Sequence, residues 1–322
     1  MKNKALYYPY INVPNEAWTY KTLLYWDSLL SIVPSSYIHN PDELEPFMLD
    51  LVRENLVEQV FPAEYLRHIE HFDETFLNIV NKKYLHGEKN ISNEYTKIHL
   101  EKLDSIARAL IDMELAVPSN SQWLLVEKNV ANDFMVYLAG ILSSMNDAVP
   151  VSDQMGNAKV YDKHQSFYNN NKSTKIQNTI LDGVLPYPDG KISIRELVKF
   201  KERHHDLLPK FRKFIEEKSY EISQIEDNIY RKERTRDIIT DIKNASLEIQ
   251  EAMKPNFRKI CFGSILPIFG ASIGVYATND NLAMAGALAG LGGNIYSSLN
   301  QIDSKLNKQP IAYIAHARRN LV

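Results

Sequence analysis

The chain has 322 residues, 44% of them hydrophobic, and a formal net charge of −3. This length allows more than one domain with a sizeable core, and the near-neutral charge argues against nucleic acid as the main partner. Cys261 is the one cysteine, which excludes intramolecular disulfides and thiolate metal clusters and fits a reducing compartment. No long apolar run follows the first residues, so we expect no signal peptide and a cytoplasmic location, with peripheral or integral attachment at the inner membrane left open.

Residues 1–150 show short strand patterns between helical ones, which predicts an α/β N-terminal module. The aromatic and branched residues of Ala5–Ile11 predict a strand, and a helix is expected to begin after Asn15. Two further short apolar runs predict strands, at Leu30–Pro34 and Leu56–Pro62.

The second half of this module is predicted to be largely helical. Residues 63–113 show a mostly helical pattern, with an expected loop at His86–Tyr95. Asn132–Asp147 predicts a buried helix, with Asn132 as its cap.

The middle of the chain predicts a connection followed by a helical arm. Residues 151–192 are polar and are expected to form a loop and a short strand at Thr179–Leu185. Ser193 and Glu196 have the spacing of a capping box. From there to residue 255, apolar residues recur at spacings of mostly three and four, which is typical of a coiled-coil-like arm. Pro209 and the charged stretch "YRKERTRD" favour shorter helices that fold back on one another.

The C-terminal part, residues 256–322, contains the most unusual segment of the sequence. Ile260–Ile302 carries a single charge, at Asp280, with one uncharged run on each side of it. Each run has about the length that crosses a bilayer. Small residues at GxxxG spacing let two helices approach closely; they are Gly270, Gly274, Gly286 and Gly290.

Three interpretations of this apolar helical hairpin stay open: insertion in a membrane, burial in the core of a protein or an oligomer, or shelter in one state and insertion in another. Lysine and arginine flank its outer ends, as expected for a hairpin with both ends in the cytoplasm. Glycine, asparagine, tyrosine and Pro267 dilute both runs, which favours burial. The predicted fold is therefore mainly α with a small α/β N-terminal part, a long helical arm and this hairpin.

Several stretches resemble an uncharacterised bacterial family of unknown function, whose members open with a Leu-Tyr-Tyr-Pro strand and a Tyr-Trp-Asp helix. The matching stretches are "LYYPYI", "LLYWDSLLSIVP", "YLAGILSSMNDAVPVSD" and "VLPYPDGKISIRELVKFKERHHDLLPKFR". The resemblance implies a bacterial cytoplasmic protein and carries over no activity and no site residue.

The N-terminal module offers one candidate pocket, lined by aromatic residues and a carboxylate. Tyr7, Tyr8 and Trp26 are the candidate ligand-binding residues. Asp27, and more weakly Asp153, are candidate acids or bases, because a carboxylate among aromatic rings has a raised pKa. A structural role for Asp27, as a loop cap or a tyrosine partner, is the alternative.

Histidines suggest a metal site in one place and surface positions in another. Glu64, His68 and His71 would share one face of a continuous helix, and such ligands bind zinc or iron; a solvated helix face is the simpler interpretation. His204 and His205 are expected to be surface residues. No phosphate loop, nucleophile elbow or dinucleotide fingerprint is present, so no cofactor is predicted.

Two functions remain as hypotheses. The first is a non-enzymatic bacterial effector or scaffold, in the context of stress or phage defence. Its N-terminal module would sense a ligand or partner, and its hairpin would engage the inner membrane or an oligomer core. Its partners would be another protein or further copies of the chain. The second is a soluble enzyme that uses the aromatic and carboxylate pocket.

Overall fold

The computed structural model describes residues 3–85, 92–154, 172–186, 193–253 and 309–321. The chain divides into two units, one containing the described residues up to 154 and the other those from 172 onward. The described residues form thirteen α-helices and seven β-strands. The fold is therefore mainly α with a smaller α/β part.

The N-terminal unit carries all seven of these strands. Its elements are β1 (Lys4–Tyr7), α1 (Glu16–Tyr25), β2 (Ser28–Ile32), α2 (Ser35–His39), α3 (Pro46–Arg53), β3 (Val57–Val60), α4 (Pro62–Leu66), α5 (Phe72–Val80), β4 (Tyr95–His99), α6 (Leu100–Leu103), α7 (Ile106–Asp112), β5 (Ala116–Pro118), β6 (Trp123–Glu127), α8 (Lys128–Met145) and β7 (Ala148–Val151). A 3₁₀ turn at Pro41–Glu43 precedes α3, and a π-helical turn at Asn81–Leu85 follows α5.

Four strands form a parallel sheet in the order β3-β2-β1-β7. Every residue of β2 is buried, as is β1 after its first residue. Strands that are covered on both faces read as continuous apolar runs, which explains why the sequence pattern showed them. The strand predictions for β1, β2 and β3 are confirmed, although β1 ends at Tyr7 rather than Ile11.

Three other strands form an antiparallel sheet in the order β4-β6-β5. The long helix α8 contacts strands of both sheets, and its buried face includes Phe134 and Leu138. These side chains belong to one apolar core that also contains Leu6 and Leu30 of the parallel sheet and Val126 of the antiparallel one. Because α8 is packed on both sides, the two sheets share one core.

The prediction that 63–113 is mostly helical is confirmed for the described residues, although Tyr95–His99 pairs with β6 as a strand. The predicted start and cap of the helix at Asn132–Asp147 are wrong. Helix α8 begins at Lys128 rather than after Asn132, and its cap is Glu127, whose carboxylate accepts a hydrogen bond from the Val130 amide at 2.8 Å. The predicted start at Asn15 is confirmed, since its side chain accepts from the Trp18 amide.

In its described part, the C-terminal unit is entirely helical. It contains α9 (Lys172–Val184), α10 (Ile194–Arg203), α11 (Leu207–Ser223), α12 (Asn228–Met253) and α13 (Ala312–Leu321). The capping box of Ser193 and Glu196 is confirmed. The arm does divide into three helices, but the charged stretch "YRKERTRD" lies inside α12 and Pro209 lies in the first turn of α11.

The strand predicted at Thr179–Leu185 is wrong, because Thr179–Val184 belong to α9. This helix packs against α11 and α12, and its buried residues recur with helical spacing: Ile176, Ile180, Leu181 and Val184. The helices approach closely at Gly183, where an added Cβ would lie 2.8 Å from Cγ2 of Ile239.

Helix α13 completes the unit by contacts with α10, α11 and α12. Arg318 is buried at 2% exposure, and its guanidinium donates to the Val184 carbonyl at 3.0 Å and to the Ser246 hydroxyl. Burial lowers the pKa of Arg318 to about 10. These bonds join residues from α9, α12 and α13.

The surface role predicted for His204 is also wrong. Its ring stacks on that of His316 with 4.2 Å between centroids, and His204 is only 7% exposed. Burial, and then the neighbouring His316, lower the pKa of His204 to about 4. His205 is exposed, as predicted.

The predicted hairpin at Ile260–Ile302, with Gly270, Gly274, Gly286 and Gly290, lies outside the described residues. Within the described ranges, no helix has both the length and the apolar character of a membrane span.

Replacing Gly183 by valine should destabilise the C-terminal unit by about 1–3 kcal/mol, because the new side chain overlaps Ile239 in a packed helix contact. Urea unfolding followed by far-UV circular dichroism would measure the change. Combining Gly183→Val with Ile239→Ala should recover part of the loss, whereas Thr174→Val, at an exposed position of the same helix, should cost little. Equal losses from the two valine substitutions would contradict the close contact.

Candidate functional site

The order of the parallel sheet creates a crevice between β1 and β7. From β1 the chain adds β2 and β3 on one side, then returns to place β7 on the other. In open parallel sheets, ligands bind at the carboxyl ends of the strands where the order reverses in this way. Tyr7 is the last residue of β1, and Asp153 lies two residues after the end of β7.

Tyr7 and Asp153 meet in this crevice. The Tyr7 hydroxyl donates a hydrogen bond of 3.0 Å to Oδ1 of Asp153. Burial raises the pKa of the Asp153 carboxyl, and the bond from Tyr7 opposes that rise. Burial and the Asp153 charge also raise the pKa of Tyr7 well above its ordinary value. The tyrosine therefore stays protonated and holds the carboxylate in place.

A cavity of about 840 Å³ opens beside this pair, and we call it the switch-point pocket. That volume suits a small organic ligand. Its walls come from the segment after β1, from α3, from the antiparallel sheet and from α8. The lining includes Tyr7, Tyr10, Tyr37, Phe47, Lys97, His99, Lys102, Trp123, Lys128, Asn132, Asp153 and Gln154.

Lys102 is the most unusual residue of the switch-point pocket. It lies on α6 and is only 3% exposed. Within the described part of the chain, no hydrogen bond or ion pair to its ammonium group is found. Burial alone lowers the pKa of Lys102 to about 7. A buried charge without a partner is costly, so this lysine reduces the stability of the unliganded unit.

Neighbouring hydrogen bonds hold the short helix α6 in position. The Leu100 amide donates to the Gln122 carbonyl at 2.8 Å, which fixes the end of β4 to the loop before β6. The Glu101 carboxylate accepts from the backbone amide and the hydroxyl of Ser35, at 2.6 and 2.8 Å. Both anchored residues lie within two positions before Lys102, so they restrict its backbone position.

His99 lies against Trp123 on the same wall of the pocket. The two rings meet edge to face with 5.1 Å between centroids. The Glu101 amide donates to Nδ1 of His99 at 3.3 Å, which assigns the proton of the neutral ring to Nε2. Burial lowers the pKa of His99. Near neutral pH the ring is therefore an uncharged donor through Nε2.

Two cations and one hydrogen-bonded pair lie at the exposed part of the pocket lining. Lys97 and Lys128 are both exposed. Lys128 is bonded to Glu94, and that bond raises the pKa of the lysine. Nε2 of Gln154 donates to the Tyr10 hydroxyl at 2.7 Å. The pocket thus has an exposed basic part and a buried part that contains Lys102.

The structure brings together only part of the pocket predicted from sequence. Tyr7 and Asp153 line it, but Trp26 and Asp27 do not. Asp27 precedes β2, at the amino end of the sheet, where its carboxylate accepts from the Asn3 amide at 2.8 Å. Tyr8 points into the apolar core instead. The structure therefore places Asp27 outside the pocket that contains Tyr7 and Asp153, in a bond to the backbone of Asn3.

The helix face predicted for Glu64, His68 and His71 does not form. Helix α4 ends at Leu66, and His71 has a left-handed backbone (φ 58°) before α5 begins. Nε2 of His68 accepts from Arg67, and Nδ1 of His71 lies 2.8 Å from Glu74. In the described ranges, no group of three or more His, Cys, Asp and Glu side chains is placed to hold a metal ion.

Sequence reasoning missed Lys102, His99 and Trp123. "HLEKLDS" has the appearance of an ordinary amphipathic turn, and nothing in it distinguishes the buried lysine from exposed ones. Only the pairing of β4 with β6 brings these residues to the carboxyl edge of the parallel sheet.

No known protein family matches the chain, and the comparisons with curated proteins and with solved structures give no match either.

Replacing Lys102 by methionine should stabilise the N-terminal unit, most strongly at pH 7 and below. The lysine pKa is lowered from 10.5 to about 7 on folding, so between these values the unfolded chain binds more protons and the wild-type stability rises with pH. Lys102→Met lacks that rise. The free energy of unfolding of this variant should exceed that of the wild type by at most about 5 kcal/mol at low pH, and the difference should disappear towards pH 10.5.

Urea unfolding followed by tryptophan fluorescence at pH 7 and pH 9 would measure this difference, since Trp18, Trp26 and Trp123 all lie in this unit. The control is Lys82→Met, at an exposed position outside the pocket. A stability difference between wild type and Lys102→Met that does not change with pH would show that Lys102 is charged in the folded state.

Proposed function

We propose that the N-terminal unit binds a small organic anion in the switch-point pocket. One observation carries the proposal: Lys102 is buried without a partner among the described residues and lines a cavity of about 840 Å³. A negatively charged ligand would supply the missing counter-charge and offset the cost of burying the ammonium group.

The rest of the lining supports a ligand with a planar ring. Tyr37, Phe47 and Trp123 offer aromatic surface, on which a flat ring packs well. The exposed Lys97 and Lys128 would attract an anion from solution. The location at the reversal of strand order supports the same conclusion by analogy with other open parallel sheets.

An anion-binding pocket fits the ligand-sensing step of an effector. The same pocket would also serve an enzyme as its substrate site. The carboxylate of Asp153 supports the enzymatic alternative, because it is held by Tyr7 and lines the same pocket.

The role of the hairpin remains a separate proposal that rests on sequence alone. We propose that Ile260–Ile302 contacts a membrane or the core of an oligomer, through the close helix packing that its GxxxG pairs allow. This would make the chain an effector or scaffold with a protein or membrane partner.

Binding can be tested with ring-bearing phosphates and inorganic phosphate as named probes. We expect AMP or pyridoxine 5′-phosphate to raise the melting temperature of the full chain, and inorganic phosphate to raise it less. At a concentration of 100 times Kd the stabilisation is about 2.7 kcal/mol. Because Lys102 is only partly protonated near neutral pH, binding should take up a proton, which calorimetry at pH 8 in buffers of different ionisation enthalpy would detect.

Lys102→Met should abolish the stabilisation, and Lys82→Met should leave it unchanged. If the two substitutions have the same effect, or if none of the three phosphates binds, the anion-binding proposal is wrong.

The hairpin proposal is best tested in the full-length chain. A truncation at Lys254 would also remove α13, whose Arg318 is bonded inside the C-terminal unit. Gly274→Leu and Gly290→Leu should instead reduce sedimentation with membranes, or shift an oligomer to smaller species in analytical ultracentrifugation. A wild-type chain that is monomeric and stays in the soluble fraction would refute the proposal.

A further inference from the structure

A lysine buried beside a cavity differs from an ordinary lysine in its nucleophilicity as well as its charge. An unperturbed lysine, with a pKa near 10.4, carries the neutral amine in only about one molecule in 2,500 at pH 7. Burial lowers the pKa of Lys102 to about 7, so about half of the folded molecules carry a free amine lone pair. Enzymes that use lysine as a nucleophile create the same condition by desolvating it.

The other lysines of the switch-point pocket lack this environment. Lys97 is exposed, and Lys128 is exposed and bonded to Glu94, which raises its pKa. Lys102 directly follows the two anchored residues Leu100 and Glu101 on α6, and it lines the cavity. Burial, position and the lack of a described partner all single out this amine.

We propose that Lys102 forms a reversible imine with the aldehyde or keto group of a ring-bearing anion in the switch-point pocket. This inference rests on the proposed function, and it adds the chemical class of the ligand: a carbonyl compound with a negative charge elsewhere in the molecule. The carbonyl carbon would lie at Lys102, and the negative charge would lie close enough to attract the protonated form of this lysine before the imine forms.

The reaction balances without an oxidant or a reductant. The Nζ lone pair attacks the carbonyl carbon, a C–N bond forms, and the carbonyl oxygen takes up a proton while the nitrogen releases one. The resulting carbinolamine loses its hydroxyl as water when a further proton is delivered, and a C=N bond forms. His99 and Asp153 line the same pocket; the His99 ring is a donor through Nε2, and Asp153 has a raised pKa, so both suit proton transfer.

The test uses pyridoxal 5′-phosphate as the probe, because it combines an aldehyde, a planar ring and a phosphate. The full chain is incubated with a small excess of probe, reduced with sodium borohydride and mapped by peptide mass spectrometry. We expect the reduced adduct at Lys102 at least about tenfold above that at Lys97 or Lys82. Pyridoxine 5′-phosphate, which lacks the aldehyde, should bind and protect Lys102 from labelling.

Two variants separate the imine from anion binding. Lys102→Met should lose both the adduct and the binding of pyridoxine 5′-phosphate. Lys102→Arg keeps a cation that is not a nucleophile, so it should keep binding pyridoxine 5′-phosphate and lose the adduct. Far-UV circular dichroism confirms that each variant is folded, and Lys82→Met, which should leave the Lys102 adduct unchanged, is the matched control.

Each outcome distinguishes the two proposals. If pyridoxine 5′-phosphate binds through Lys102 but no adduct forms there, the imine is wrong and anion binding stands. If the adducts are spread evenly over exposed lysines and pyridoxine 5′-phosphate gives no protection, both proposals fail for this class of ligand.

Discussion

The pairing of β7 with β1 is the constraint on which the rest of the N-terminal unit depends. The parallel register aligns Tyr7 with Val151, and the Tyr8 amide extends the ladder by donating to the Val151 carbonyl at 3.2 Å. The chain reaches this position only through α8, which also packs on the antiparallel sheet. A single long helix therefore determines that Tyr7 meets Asp153 and that the wall carrying Lys102 stands beside them.

Lys102 is an unfavourable group that the fold retains, and the proposed ligand would give it a chemical purpose. An apolar residue at this position would pack at lower cost, and the described residues provide no counter-charge for the ammonium group. A residue in a cleft whose pKa is strongly shifted by burial is a candidate for a functional site. The anchors on Leu100 and Glu101 give the lysine a defined position. A binding or reacting group requires such a position, whereas a tolerated defect does not.

Local sequence signals predicted the parts of this structure that local physics determines. The strand β2, the Asn15 cap and the Ser193–Glu196 capping box follow from apolar runs and short hydrogen-bonding patterns, and they appear in the structure. Parts that depend on distant partners could not be predicted: Tyr95–His99 becomes a strand because β6 lies beside it, and Thr179–Val184 is helical because α11 and α12 pack against it. The same holds for the site: Tyr7 and Asp153 do share a pocket, but Asp27, which was predicted beside them, lies at the other end of the sheet, and the sequence around Lys102 gave no signal.

The contacts of Arg318 also have a consequence for biosynthesis. Every described element of the N-terminal unit precedes residue 155, so that unit can fold while the remainder is still being translated. The other unit cannot close at that stage, because Arg318 bonds to Val184, 134 positions earlier in the chain. Until the ribosome has released Ala312–Leu321, the apolar faces of α9, α11 and α12 lack one of their partners, and nascent chains are most exposed to chaperones and proteases during that interval.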